Sequence, residues 1–146
     1  MNSQQLASAL AGVRGFRGVR ASDQIWEAYN SPGFYIFNTD PSYKSGRHWL
    51  AVDVTSNPPE WFDSLGRPPS FYKDQFEYLL IHNGPQYLYN CRRLQDYGSE
   101  TCGHYCIYYI DLKGLGYTME EILSRFSKDL ARNDQIATEF VRKRLN

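Results

Sequence analysis

The sequence predicts a single α+β domain over residues 1–146, and three observations lead to this fold class. The chain has 146 residues, which is the usual size of one domain and is enough to bury a core without disulfides or metal. Apolar and β-branched runs typical of strands are concentrated between residues 34 and 63. From residue 69 onward, apolar side chains recur at three- and four-residue steps, which is the spacing of a helix face. We therefore expect a small mixed sheet packed against helices.

The strands are predicted from short apolar runs bounded by turn residues. FYIF follows the turn SPG and is apolar throughout, as in a strand buried on both faces. HWLAVDV is rich in aromatic and β-branched residues, and EWFD follows it after the turn TSNPPE. QYLYNCRRL alternates and predicts a further strand. By contrast, the glycine- and arginine-rich segment GVRGFRGVRASDQ predicts an irregular surface loop.

The helices are predicted from their caps and their periodicity. Ser3 is expected to cap the first helix, and Ser70 a helix that starts at Pro69. The segment TCGHYCIYYIDL predicts a buried helix that ends before two glycines. Thr118 with Glu121 is expected to form a capping box at the start of the next helix. Helices are predicted to begin near residues 3, 69, 101, 118 and 133.

Composition excludes several classes of protein. The 16 basic and 16 acidic residues balance, so no overall charge favours nucleic acid or a membrane surface. We find no basic-then-apolar leader and no apolar run of the ~18 residues that a membrane span requires, so we expect a soluble protein that is not secreted. Three cysteines cannot all pair, which favours a reducing compartment.

The stretch LQDYGSETCGHYC allows three interpretations. A zinc site could use Cys102, His104 and Cys106, but positions two apart on a helix face different sides and a fourth ligand is missing, so we expect no metal. A core position is expected for Cys106 and for Cys91, because free cysteines are most often small buried hydrophobes. Cys102 instead fits a nucleophile, since it starts a helix whose unpaired amides and dipole stabilise a thiolate.

A cysteine nucleophile needs a base and a group that orients the base. His48 opens a predicted strand, and Asp63 ends the next one, fifteen residues later, where its carboxylate can fix the imidazole tautomer. Gly103, next to Cys102, is expected to leave room for a substrate carbonyl, and the Cys102 amide can point at a developing oxyanion. On spacing alone, Asp63 could equally be a residue that ends a strand.

Four segments in this order, NTDPSYKSGRHWLAVDV, WFDSLGRPP, DQFEYLL and LQDYGSETCGHYC, resemble the adenain-type cysteine proteases of adenoviruses and related DNA viruses and mobile elements. The same clan contains the Ulp/SENP ubiquitin-like-protein proteases. The resemblance covers about residues 34 to 112 and implies a papain-like fold with the nucleophile at the start of a central helix. It implies that His48 is the base, Asp63 the orienting acid and Cys102 the nucleophile. It also implies that Gln95 completes the oxyanion hole and that Trp49 packs beside the site.

The resemblance also implies substrates, partners and a location. The seven-residue step from Gln95 to Cys102 is nearer to adenains than to the Ulp branch, which implies cleavage of viral capsid or core precursors after small or glycine-containing sites, in the virion and the host nucleus. Adenoviral enzymes are activated by DNA and by a viral peptide. An activating peptide is compatible with this chain, whereas its balanced charge argues against DNA. A Ulp-type deconjugating enzyme and an inactive virion structural protein remain alternatives.

Overall fold

The computed structural model describes residues 1–145, and its α+β architecture confirms the predicted fold class. A five-stranded mixed sheet has the spatial order β1-β2-β3-β4-β5, with the two outer pairs parallel and the inner pairs antiparallel. The strands are β1 (Phe16–Arg20), β2 (Phe34–Asn38), β3 (Trp49–Asp53), β4 (Glu60–Phe62) and β5 (Leu88–Tyr89). The helices are α1 (Ser3–Leu10), α2 (Asp74–His82), α3 (Cys102–Gly114), α4 (Met119–Leu123) and α5 (Leu130–Leu145).

Helices cover both faces of the sheet, because its central strands are apolar on both sides. Alternate residues of β2 and β3, such as Ile36 and Ala51, pack with the core residues of α1, α3 and α5. Their neighbours along the strands, such as Phe37 and Leu50, pack on the other face against α2. The continuous apolar runs of these strands are therefore explained by burial on both faces.

Helix α3 lies at the centre of the molecule and is linked to the sheet at its C-terminal end by a buried cluster of charged side chains. The ammonium group of Lys113 lies 3.4 Å from a carboxylate oxygen of Asp53 and 3.2 Å from one of Glu60. The Tyr109 hydroxyl donates to the same Glu60 oxygen at 2.6 Å. Since Asp53 belongs to β3 and Glu60 to β4, these contacts fix the position of α3 on the sheet.

The prediction of a loop over residues 12–24 is wrong in its middle part. Residues Phe16–Arg20 form the edge strand β1, which pairs in parallel with β2. A 3₁₀-helical segment, Ser22–Tyr29, follows this strand. The glycines conceal the strand in the sequence, but Gly18 lies in the left-handed region at φ 139° and sits at a break in the strand register.

Four other predicted boundaries or caps differ from the structure. The first helix is capped by Asn2, whose side chain accepts from Gln5, and not by Ser3. Pro69–Phe71 is a short 3₁₀ turn, and α2 starts only at Asp74. Strand β5 has two residues, and α5 begins at Leu130 rather than near residue 133. None of the helices within residues 1–145 combines the length and apolar character that a membrane crossing requires.

Candidate active site

A cleft of about 640 Å³ opens at one end of the sheet, where three elements meet. His48 directly precedes β3, Asp63 directly follows β4, and Cys102 is the first residue of α3. Because β3 and β4 are antiparallel, the start of the one lies beside the end of the other. The topology therefore brings together side chains that are far apart in the sequence.

The imidazole of His48 is paired with the carboxylate of Asp63. The Nε2 atom of His48 lies 2.7 Å from Oδ1 of Asp63, and both side chains are buried. Asp63 accepts a hydrogen bond from the Nε2–H group, which leaves Nδ1 as the nitrogen that can exchange a proton with the Cys102 thiol. The tautomer that a general base requires is thus set by the carboxylate.

Asp63 is itself held by several hydrogen bonds. Its backbone N–H donates to Oδ1 of Asn90 at 2.8 Å, and the Asn90 amide donates back to the Asp63 carbonyl at 2.5 Å. The Leu65 amide donates to Oδ1 at 2.9 Å, and the Tyr72 hydroxyl donates to Oδ2. The Tyr72 ring also stacks on the imidazole of His48, with centroids 6.0 Å apart. Backbone, carboxylate and imidazole are therefore all fixed.

The thiol of Cys102 lies in surroundings that favour its ionised form. Burial opposes the thiolate, but hydrogen bonding to His48, the charge of His48 and the amides of Trp49 and Gly103 outweigh it and lower the pKa of Cys102. The Trp49 amide donates to Sγ at 3.5 Å. Its position at the N-terminus of the 13-residue helix α3 adds a favourable dipole.

The charge state of His48 follows from the same contacts. Burial acts to lower its pKa, but the hydrogen bonds to Asp63 and Cys102 and the charges of those two groups raise it to about 9. An imidazolium ion paired with a thiolate is the form that these opposite shifts favour near neutral pH.

The side-chain amide of Gln95 is oriented from both ends. The Ser64 hydroxyl donates to Oε1 at 2.6 Å, and Nε2 donates to the carbonyl of Ser99 at 3.0 Å. A carbonyl oxygen can only accept, so the nitrogen must be on that side. Gln95 lines the cleft together with Cys102, and its Nε2 carries a second N–H besides the one directed at Ser99. The amide is therefore fixed in orientation within the cleft that contains Cys102.

Trp49 and Gly103 lie beside Cys102 in different ways. Trp49 lines the cleft, and its indole N–H donates to the carbonyl of Met1 at 3.0 Å. Gly103 is buried, and a Cβ atom there would lie 3.2 Å from Leu6 and 3.6 Å from Trp49. The protein itself occupies this space, so Gly103 does not provide the room for a substrate carbonyl that we expected from the sequence. It allows α1 to pack closely against α3.

The other two cysteines, Cys91 and Cys106, lie in different environments. Cys106 is buried, as predicted, and burial raises its pKa well above the usual value. Cys91 is exposed, so the prediction of a core position for it is wrong. It follows the two-residue strand β5 instead of continuing a longer buried strand. Within residues 1–145, no group of three or more His, Cys, Asp or Glu side chains could hold a metal ion.

Sequence reasoning missed three residues that position the site, namely Ser64, Asn90 and Tyr72. Ser64 stands next to Asp63, and this adjacency was the one available signal. Asn90 lies within the predicted strand QYLYNCRRL and Tyr72 within the helix predicted from Pro69, and neither pattern indicates a role in the site. Their hydrogen bonds join residues between nine and 31 positions apart in the sequence, which local patterns do not reveal.

Neither a protein-family profile nor a curated protein sequence matches the chain, whereas solved structures do. ChlaDub1 from Chlamydia trachomatis matches with a TM-score of 0.52 and 16% identity, over 97% of this chain and 72% of its own. The Chlamydia trachomatis effector protein Cdu1, solved bound to ubiquitin, gives the same score and identity, over 97% of this chain and 74% of its own. An ASFV protease matches 72% of this chain at 24% identity with a TM-score of 0.43, and the present chain spans only 43% of its length.

The chain has a cysteine protease fold. It is the papain-like fold of the clan that the sequence resembles, with a small mixed sheet packed against helices and a cysteine at the start of the central helix. This confirms the fold that the sequence resemblance implied. At this level of identity the likeness concerns the fold, so the chemistry has to be argued from the residues in the cleft.

Proposed function

We propose that the protein is a cysteine endopeptidase in which Cys102 is the nucleophile, His48 the general base and acid, and Asp63 the group that orients His48. The observation that carries this proposal is that His48 and Cys102 line one cleft while the buried carboxylate of Asp63 lies 2.7 Å from the imidazole of His48. The opposite pKa shifts of Cys102 and His48 support it, because they favour a thiolate beside an imidazolium ion.

The reaction is acyl transfer to water. The Cys102 thiolate attacks a peptide carbonyl, and the resulting oxyanion lies between the Cys102 backbone N–H and the free N–H of Gln95. His48 gives its proton to the leaving amine, and a water molecule that His48 then deprotonates hydrolyses the thioester. Each oxyanion donor in such a site contributes about 3 kcal/mol to the stability of the transition state.

For the substrate we propose viral precursor polypeptides of the capsid or core, cut after small or glycine-containing sites during maturation in the virion and the host nucleus. The seven-residue interval between Gln95 and Cys102, which resembles the adenain branch, supports this choice. An activating viral peptide fits the same resemblance. The balanced charge, 16 basic against 16 acidic residues, argues against DNA as an activator.

Removal of a ubiquitin-like protein from its conjugates is the second candidate function. The specific observation in its favour is the fold shared with Cdu1, which was solved bound to ubiquitin. The same four side chains, His48, Asp63, Gln95 and Cys102, would perform both reactions. The two functions differ in whether a folded partner or an extended peptide occupies the cleft.

The experiment compares the two substrate classes with one enzyme preparation. Short peptides containing glycine, candidate virion precursors, and fusions of ubiquitin, SUMO and NEDD8 are incubated with the protein and with its Cys102→Ala variant, and the products are identified by mass spectrometry. Rapid cleavage of peptides and precursors with little cleavage of the fusions is expected. The reverse order would assign the deconjugating function, and equal products with both proteins would contradict a role for Cys102.

Thiol reactivity distinguishes an enzyme from an inactive structural protein with this fold. Near neutral pH, iodoacetamide should modify Cys102 faster than the exposed Cys91, although Cys102 is only partly accessible, because the thiolate is the reactive form. Peptide mapping of the modified protein measures both rates. A Cys102 thiol that reacts no faster than Cys91 would favour the structural protein.

A further inference from the structure

We propose that Arg67, together with the nearby rings of Phe71 and Tyr97, forms a subsite of the cleft that binds an acidic side chain of the substrate polypeptide. The inference deepens the proposed function and rests on it, because it assigns a preferred substrate chemistry to the same cleft. All three side chains line the cleft that contains Cys102.

The guanidinium group of Arg67 lies close to two aromatic rings. Its Cζ atom lies 4.3 Å from the centroid of the Phe71 ring and 5.8 Å from that of Tyr97. Both rings are largely exposed, at 56% for Phe71 and 62% for Tyr97, so a substrate side chain can reach them. The hydroxyls of Tyr72 and Tyr97 accept hydrogen bonds from the guanidinium group, and since that group carries five N–H donors, others remain for a carboxylate.

Within residues 1–145, Arg67 lacks a carboxylate partner at ion-pair distance. Other arginines of the protein have one, such as Arg20, which lies 2.6 Å from Glu27, and Arg144, which lies 2.8 Å from Asp111. A half-buried guanidinium that has lost part of its hydration and has no counter-ion favours an incoming anion.

The backbone that carries Arg67 is already ordered. The indole N–H of the buried Trp61 donates to the carbonyl of Arg67 at 2.9 Å. Gly66, with a φ of 75°, packs against the backbone of Arg92 and Arg93, where a Cβ atom would lie 2.6 Å from the nearest backbone atom. Binding therefore does not have to order this segment, and more of the interaction energy remains as affinity.

The other arginine and the lysine that line the cleft already have polar partners. Arg47 lies 3.6 Å from a carboxylate oxygen of Asp40, and its side chain is 78% exposed. Lys73 donates to the hydroxyl of Ser22 at 3.3 Å. A single stacked guanidinium matches one carboxylate in a bidentate geometry, whereas a nucleic acid strand requires clustered cations. These contacts favour a glutamate or aspartate side chain as the ligand.

The test uses paired peptides that differ only by glutamate or glutamine at one position. A library in which each position on both sides of the cleaved bond is varied in turn is assayed by kcat/KM with the wild-type protein and with Arg67→Gln and Arg93→Gln. Arg93 stacks on Tyr97 at 3.6 Å but does not line the cleft, so it is the matched control for loss of a nearby charge. At one position, wild type and Arg93→Gln should prefer glutamate by about tenfold or more, and Arg67→Gln should not.

A binding measurement separates this inference from the proposed activity. Fluorescence anisotropy with labelled glutamate and glutamine peptides is repeated on the Cys102→Ala protein, which needs no turnover, and on Cys102→Ala with Arg67→Gln. Loss of the glutamate preference only when Arg67 is replaced supports the subsite, even if the peptides are not cleaved. The subsite is excluded if wild type shows no preference, if Arg67→Gln retains it, or if a single-stranded oligonucleotide is the only probe whose binding depends on Arg67.

Discussion

At the scale of single residues, the ionisation of Cys102 and His48 sets the pH range in which the proposed mechanism can operate. The pKa of Cys102 is lowered, so the thiolate persists as the pH falls until that pKa is reached. The pKa of His48 is raised to about 9, so its positive charge persists as the pH rises until about 9. The ion pair therefore exists between these two limits.

We predict a bell-shaped dependence of kcat/KM on pH. Activity should fall on the alkaline side as the pH passes through about 9, because His48 loses the proton that it gives to the leaving amine. It should fall on the acidic side as Cys102 becomes protonated. Initial rates with a peptide substrate across the pH range measure both limits. An alkaline limit near the ordinary histidine pKa of about 6.5 would contradict the paired state.

Ser64→Ala gives the most specific prediction for a residue other than His48, Asp63 and Cys102. Ser64→Ala removes the 2.6 Å hydrogen bond to Oε1 of Gln95, so the amide can rotate away from the oxyanion position. We expect kcat to fall by roughly tenfold with little change in KM, compared with a hundredfold or more for Gln95→Ala. Steady-state kinetics of both variants provide the measurement.

A double variant shows whether Ser64 acts through Gln95. When Gln95 is already alanine, Ser64→Ala should have almost no further effect on kcat, because the group that Ser64 orients is gone. Ser124→Ala is the control and should leave kcat unchanged, because Ser124 is exposed and does not line the cleft. Independent, multiplicative losses from the two substitutions would show that Ser64 acts in another way.

At the scale of elements, the position of Cys102 depends on how α3 is fixed to the sheet. The N-terminal end of α3 meets β3 through the Trp49 amide and the Cys102 sulfur, and the C-terminal end meets β3 and β4 through Lys113. The two contacts lie at opposite ends of a 13-residue helix. The helix is thus fixed against both sliding and tilting.

Lys113→Met should destabilise the fold strongly. The Lys113 side chain is 11% exposed, and its removal leaves the buried carboxylates of Asp53 and Glu60 facing each other without a cation. A loss of about 3–5 kcal/mol in the free energy of unfolding is expected. Chemical denaturation provides the measurement.

Lys143→Met is the matched control for Lys113→Met. The Lys143 side chain is 72% exposed and lies 4.0 Å from Glu139 on the same helix, so its removal should change stability by less than about 0.5 kcal/mol. Similar losses in the two variants would mean that the buried cluster does not stabilise the attachment of α3.

The elements also show why some of the fold could be predicted and some could not. Strands β2, β3 and β4 and helix α3 were predicted because their own residues carry the apolar pattern. Strand β1 was missed because its stability comes from pairing with β2, 17 to 18 residues further along the chain, and not from an apolar run. Strand β5 was predicted too long because alternation continues in the sequence beyond the two residues that pair with β4.

At the scale of the whole molecule, the topology explains how three separate motifs become one site. The sequence placed His48 at a strand start, Asp63 at a strand end and Cys102 at a helix start, and the antiparallel pairing of β3 with β4 brings the first two together. What local patterns could not predict is the network around them. The Asn90 side chain accepts a hydrogen bond from the backbone of Asp63, which is 27 residues earlier in the chain, and such a contact depends on the completed fold.

Asp63 and Ser64 are consecutive residues, and the proposed mechanism uses each for a different half of the reaction. Asp63 aligns the imidazole of His48, the proposed carrier of protons, while Ser64 aligns the amide of Gln95, the proposed donor to the oxyanion. Both alignments therefore constrain the number of residues in the segment directly after β4. Adding or removing a single residue there would leave at most one of the two alignments intact, so an active relative should preserve this spacing even where its surrounding loops differ in length.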